Sequence, residues 1–332
     1  MKHFWPRKLG LPPAVVGLAA LLLLIIGLMQ LINRPGHLVK RPGQATGAAG
    51  AQAKTSQQKA AKLKAKQPFQ FPAGGRVILP YYRLVALYGT PNIPALGALG
   101  QQSLPATIKR VKAMAANYQT YSRQPILPTL EIIATVASDA PTANHDYSRE
   151  VPLKQLQPWL SAARLSGVYV VLDLQPGRNN FLAQAKEYAS LLKQPNVGLA
   201  LDPEWKLTAK QVPLKQIGTV DISKINQTAA WLAHLTTQNH LPQKLFLLQQ
   251  FWPDMIRGRQ ALDVDHSSLA NVIQMDGSGT QAQKLQTWQT IKAAAPGNTL
   301  FGWKNFFVVD HPTLTPAQTM QLSPQPFYIS YQ

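Results

Sequence analysis

The sequence predicts an α/β fold: a (β/α)8 TIM-like barrel preceded by a transmembrane helix and a basic linker. Three observations lead there. A long uncharged apolar run lies near the start, a stretch poor in large apolar residues follows it, and eight short apolar segments then alternate with helix-like ones.

Residues 1–11 form a short basic tail with Lys2, Arg7 and Lys8. The run from Pro12 to Ile32 carries no charge and has about the ~20 residues a helix needs to cross a bilayer, where it satisfies its own backbone. A cleaved signal would have an apolar region of about 7 to 15 residues followed by a small-residue cleavage site. This run is longer and is followed by Asn33 and Arg34, so it reads as an uncleaved anchor contacting membrane lipid. The positive-inside rule is nearly balanced between the tail and Arg34, Lys40 and Arg41. The shortness of the tail and the absence of cysteine, which is compatible with export, place the N-terminus inside. The expectation is a single-pass protein of the cell membrane with its C-terminal domain extracellular.

Residues 33–75 are rich in Ala, Gly, Lys and Gln and bury too little apolar surface to fold alone, which makes them a linker. All fourteen acids lie at or after Glu131, while residues 1 to 70 hold eleven of the thirty-three Lys and Arg. The linker lysines, Lys54, Lys59, Lys62, Lys64 and Lys66, would attract anionic lipid or anionic wall polymers, or else merely keep a spacer solvated. Nucleic acid is excluded despite the net charge of +19. The basic excess sits beside a membrane span, and no nucleic-acid-binding motif is present.

Residues 76–332 form the barrel domain. Its expected strands are Arg83 to Tyr88, Leu130 to Val136, Val168 to Leu174, Val197 to Asp202, Leu245 to Gln250, Asn271 to Asp276, Leu300 to Lys304 and Phe327 to Tyr331. Helices are expected over Pro105 to Thr120, Lys154 to Leu165, Asn180 to Lys193, Ile222 to Gln238 and Thr280 to Ala294, with short ones near Met255 and Thr315. Eight strands in about 250 residues fit a TIM barrel. Since the sequence stops after the eighth strand, the residues ahead of strand one, or the linker, are expected to cover that side. An open doubly wound sheet is the alternative, but neither G-x-G-x-x-G after a strand nor G-x-x-x-x-G-K-[ST] occurs.

Alternation along the strands sorts side chains to two faces. In the fourth strand Gly198, Ala200, Asp202 and Glu204 share one face and Val197, Leu199 and Leu201 the other. The small residues then face the barrel interior, and both acids project at the C-terminal rim, where barrel active sites lie. Asp173 and Asp276 fall at equivalent strand ends. Tyr88, Glu131, Gln175, Trp205, Gln249, Trp303, Lys304 and Tyr331 lie at or just past strand ends around them. Aromatic faces with amides and carboxylates compose a carbohydrate groove. The same residues would serve a plain fold if the acids capped helices and the tryptophans filled the core.

The run Gly198-Leu-Ala-Leu-Asp-Pro-Glu-Trp205 resembles the fourth-strand region of chitinase-type glycoside hydrolases, which ends in D-x-E. It is similar also to the D-x-E of secreted lysozyme-type barrels. It departs from the chitinase pattern at Val197 and Ala200, where that family has acids, and from the lysozyme-type pattern at Tyr88, near an expected Asp. The resemblance implies that Glu204 donates a proton to a glycosidic oxygen. Burial and the charge of Asp202 would raise its pKa, and Asp173 or Asp276 would complete the carboxylate pair.

These readings lead to a cell-surface glycoside hydrolase-like protein acting on wall or extracellular polysaccharide. The alternative is a non-catalytic glycan-binding or envelope-assembly barrel. No cofactor is expected and no metal site, since the seven histidines show no close ligand spacing. A serine hydrolase is disfavoured because no G-x-S-x-G elbow occurs.

Overall fold

The computed structural model describes residues 69–293, 295–297 and 299–332; the expected anchor and nearly all of the linker lie outside them. Among the described residues no helix is long and apolar enough to cross a membrane.

All eight expected strands form. They are β1 (Arg83–Gly89), β2 (Ile126–Ala137), β3 (Tyr169–Leu174), β4 (Val197–Leu201), β5 (Lys244–Gln250), β6 (Leu269–Met275), β7 (Leu300–Asn305) and β8 (Tyr328–Tyr331). Each pairs in parallel with the next, and β8 pairs with β1, so the sheet closes into a barrel. The helices α1 (Leu104–Gln119), α2 (Leu153–Leu165), α3 (Phe181–Glu187), α4 (Ala189–Leu192), α5 (Ile222–Gln238), α6 (Gln281–Ala293) and α7 (Pro316–Thr319) alternate with the strands.

Two details differ from the expectation. The helix foreseen over Asn180 to Lys193 is capped by the Asn180 side chain, which accepts from the Ala183 N–H at 2.7 Å, but it breaks at Tyr188. The backbone leaves the helix there, and the Tyr188 hydroxyl is tied to the carbonyls of Ala134 at 2.7 Å and Val151 at 3.1 Å. A three-residue strand, Ser148–Glu150, also adds antiparallel to the end of β2, beyond a register shift between Ile133 and Thr135. Its segment is too short and too polar to stand out in a sequence.

The alternation places the core as expected. Val197, Leu199 and Leu201 of β4 join the layer between strands and helices, with Val170 and Leu172 of β3 and Ile273 and Met275 of β6. Ala200, Val171, Tyr169 and Val272 point into the barrel. Each such fully buried large side chain stabilises the fold by roughly 1.5–3 kcal/mol. At Gly198 there is no room for a side chain, because a Cβ would lie 2.7 Å from the Leu245 carbonyl oxygen and 2.9 Å from the Tyr169 hydroxyl.

The N-terminal end of the barrel is plugged by the segment before β1. Phe71, Ile78, Leu79 and Tyr82 pack onto Tyr169 and Leu245, and the Gln243 side chain accepts the N–H groups of Ile78 and Leu79. The packed body therefore takes in Phe71, which the sequence assigned to the linker. The side of β8 is covered by α1, whose Tyr118 hydroxyl lies 2.6 Å from that of Tyr331.

Candidate functional site

Inside the barrel the lining changes from apolar at the N-terminal end to ionisable at the C-terminal end. Tyr88, Glu131, Asp173, Gln249 and Lys304 project inward from β1, β2, β3, β5 and β7, and all are buried. Asp202 directly follows β4, Asp276 follows β6, and Gln175 follows β3. Glu204 and Trp205 sit in the single 3-10 turn Pro203–Trp205, which is pinned where the Gly218 N–H donates to the Glu204 carbonyl at 2.6 Å.

One network ties these groups together. Lys304 Nζ lies 3.0 Å from Asp276 Oδ1, donates to Gln249 Oε1 at 3.1 Å and sits 3.6 Å from the Tyr88 ring centroid. Gln249 Nε2 donates to Glu131 Oε1 at 3.3 Å, and Tyr328 donates to Glu131 Oε2 at 2.9 Å. The Tyr88 hydroxyl donates to Asp173 Oδ2 at 3.0 Å and accepts from Gln175 Nε2 at 3.2 Å.

Five carboxyl groups thus share one ammonium, and water is largely excluded. Burial pushes Glu204 up to about 8, helped by the charges of Asp276 and Asp173 and opposed by Lys304. Burial likewise lifts Glu131 to about 8 and Asp173 to about 6, where Lys304 and the Tyr88 hydrogen bond hold it back. Asp202 lies well above the ordinary carboxylate range, from burial and then from Glu204. Asp276 is raised by burial against the pull of Lys304. For Lys304 burial acts downward, but the surrounding carboxylates prevail and its pKa is raised. The charge lifting Glu204 is therefore chiefly that of Asp276, whereas the sequence pointed to Asp202.

Tyr88, Gln175, Glu204, Trp205, Asp276 and Lys304 line a cavity of about 50 Å³ at this rim. Glu131, Asp173 and Asp202 lie behind that lining, 0–1% exposed. Asp173 Oδ1 and Asp202 Oδ1 are buried without a hydrogen-bond partner. Each such orphan costs about 1–3 kcal/mol, which a protonated carboxyl or a bound polar group would relieve. Among the described residues no three of His, Cys, Asp and Glu gather in a metal-holding arrangement.

Two of the residues named from sequence point elsewhere. Trp303 turns outward against Trp288, with ring centroids 5.7 Å apart, and its Nε1 donates to Asn305. Tyr331 turns outward to Tyr118 and stacks on Phe307. The alternation along β8 points Tyr328 and Ser330 inward instead, and Tyr328 is the residue the sequence reading missed. Phe251, Ser278, Phe306 and Leu96 also line the cavity; they lie in loops, where no periodicity marks them. Leu96 additionally borders an apolar groove of about 210 Å³ with Ile93, Val136 and Val151.

The chain matches no protein-family profile and no curated protein. It is similar to solved structures. A form of xylanase-A-amylase inhibitor protein, XAIP-III, is 13% identical over 75% of this chain and 92% of that one, with a TM-score of 0.43. The xylanase and α-amylase inhibitor protein XAIP-II from Scadoxus multiflorus is 13% identical over the same shares, with a TM-score of 0.40. A GH113 β-1,4-mannanase is 11% identical over 68% of this chain and 72% of that one, with a TM-score of 0.33.

Proposed function

We propose that this barrel is a glycoside hydrolase-like protein acting on wall or extracellular polysaccharide, with Glu204 as proton donor and Asp276 as its carboxylate partner. The observation that carries this reading is that Glu204 and Asp276 line one rim cavity in unlike environments. Glu204, pushed up to about 8, retains its proton at neutral pH. Asp276 lies against the Lys304 ammonium at 3.0 Å, which favours its charged form. Glycosidic cleavage requires one carboxyl to protonate the leaving oxygen and another to meet positive charge at the anomeric carbon or activate water, and the Lys304 ammonium assigns the second role to Asp276. The Trp205 side chain beside Glu204 lowers that carboxyl's pKa and so limits its rise. Tyr88 and Lys304 fix Asp173 and Asp276 in place.

The size of the cavity favours a second reading, a barrel that binds glycan without cutting it. About 50 Å³ is small beside the roughly 300–1,000 Å³ of pockets that enclose small ligands. Leu96 is the wall this cavity shares with the neighbouring apolar groove. Incubation of the full chain with purified wall polysaccharide separates the two readings. Release of new reducing ends by wild type, lost in Glu204→Gln, supports the enzyme; retention of the polysaccharide with no product supports the binder. Anchoring through Pro12–Ile32 with the barrel outside, and attraction of the linker lysines to anionic polymers, belong to the same proposal. A C-terminal body that survives protease added to intact cells would exclude that orientation.

A further inference from the structure

The end of the barrel opposite the rim has a composition of its own. The loops before β1, β2, β3 and β4 are neighbours around the barrel, because those strands pair consecutively. They expose Val77 (42%) and Tyr81 (65%), Tyr121 (50%), and Leu165 (85%) at the end of α2. These are four of the eight most exposed large apolar residues among the described ones. Arg123, Arg164 and Lys193 stand exposed among them, and none of these loops contains Asp or Glu. Phe69, where the described chain begins, lies on the same end: its carbonyl accepts from Arg76, and Pro72 packs 3.6 Å from a Cβ position on Gly167.

We propose that this N-terminal face of the barrel rests on the anionic bilayer that the run Pro12–Ile32 enters, so that the rim cavity faces away from the membrane. Exposed Leu and Tyr with interspersed cations, in loops free of acids, is the composition that inserts shallowly at a headgroup boundary, and Asp265, in the loop before β6, lies across the barrel from this patch. The chain leaves the domain on this face toward the apolar run. A tether holds the face near the bilayer at an effective concentration on the order of mM, so a contact of a few side chains is enough to orient the barrel. At the opposite end Leu153, Phe307 and Val308 are exposed, but that end carries the acid-lined cavity and the acids Asp139, Glu150 and Asp254. The inference rests on reading Pro12–Ile32 as an anchor and is independent of whether the rim cuts glycan.

The chain has no cysteine, so single cysteines carrying a fluorophore can be introduced in the full-length protein at Leu165 and, in a second variant, at Val308. Each protein is reconstituted into vesicles of phosphatidylcholine with phosphatidylglycerol that contain nitroxide-labelled lipid. The label at Leu165 should be quenched several-fold more than the label at Val308. That difference should shrink in phosphatidylcholine alone, in high salt, and in the triple variant Arg123→Glu, Arg164→Glu, Lys193→Glu. The lipid and salt comparisons need no altered charge, so a misfolded triple variant leaves them decisive. Equal quenching at the two positions, stronger quenching at Val308, or a chain that does not incorporate into the vesicles overturns the proposal. Turnover of wall polysaccharide plays no part in the result, so an inactive rim and an undocked face are told apart.

Discussion

At the scale of single residues, the chemistry proposed for the rim turns on the proton of Glu204. Glu204→Gln keeps the shape and most hydrogen bonding of the side chain but cannot give up a proton. Turnover should therefore fall by roughly 10² to 10⁴ while polysaccharide binding persists. Because the acid form is the active one, wild-type turnover should decline as pH rises through about 8, the value to which burial lifts this carboxyl. A rate that climbs through that range would remove Glu204 from the donor role. Glu204 and Asp276 were legible in the sequence because they lie just past the C-terminal ends of β4 and β6, where a barrel rim must be. Trp303 and Tyr331 were misplaced although the same alternation governs them: nearness to a strand end was given weight over facing, and their strand neighbours Lys304 and Ser330 point inward. Which charge lifts Glu204 was not legible, since Asp202 is close in sequence while Asp276 comes from another strand.

At the scale of elements, regular strands and long helices were readable because each repeats one apolar period over many residues. The short strand Ser148–Glu150 and the break at Tyr188 depend instead on contacts distant in sequence. The break rests on a hydroxyl that serves two carbonyls from the β2 region. Tyr188→Phe leaves both without that donor and should cost about 1–3 kcal/mol, read as a lower denaturant midpoint at unchanged slope. Packing inside the barrel imposes a harder limit on β4. An added methyl in Gly198→Ala meets backbone at 2.7 Å, and neither the Leu245 carbonyl nor the anchored Tyr169 ring can retreat freely. Overpacking of this kind costs typically about 1–3 kcal/mol, and thermal unfolding that matches wild type would show that β4 shifts to accommodate it.

At the scale of the whole molecule, the barrel interior gathers five carboxyl groups around one ammonium, and the cost of burying those acids should appear in its response to pH. Glu131 is 0% exposed, and its pKa is raised from 4.5 to about 8. Between those values the folded chain holds a proton that the unfolded chain has released. Stability is therefore fully present below about 4.5 and is lost as pH rises through about 8, at roughly 1 kcal/mol per pH unit for each proton retained. Glu204 and Asp173 act in the same direction over their own ranges. Two buried lysines oppose them only at higher pH: Lys244 is lowered to about 7 and Lys284 to about 8, both by burial, so each gains stability as pH rises beyond its folded value. From pH 5 to 7 the carboxyls therefore outweigh the lysines, of which only Lys244 titrates appreciably as pH nears 7. Chemical denaturation across this interval should show stability falling with pH. Glu131→Gln, which cannot ionise, should flatten that fall by the share of one proton. A stability that is level or rises from pH 5 to 7, or a slope that Glu131→Gln leaves unchanged, would mean that these carboxyls are ionised in the folded barrel and that a charged network holds the rim together.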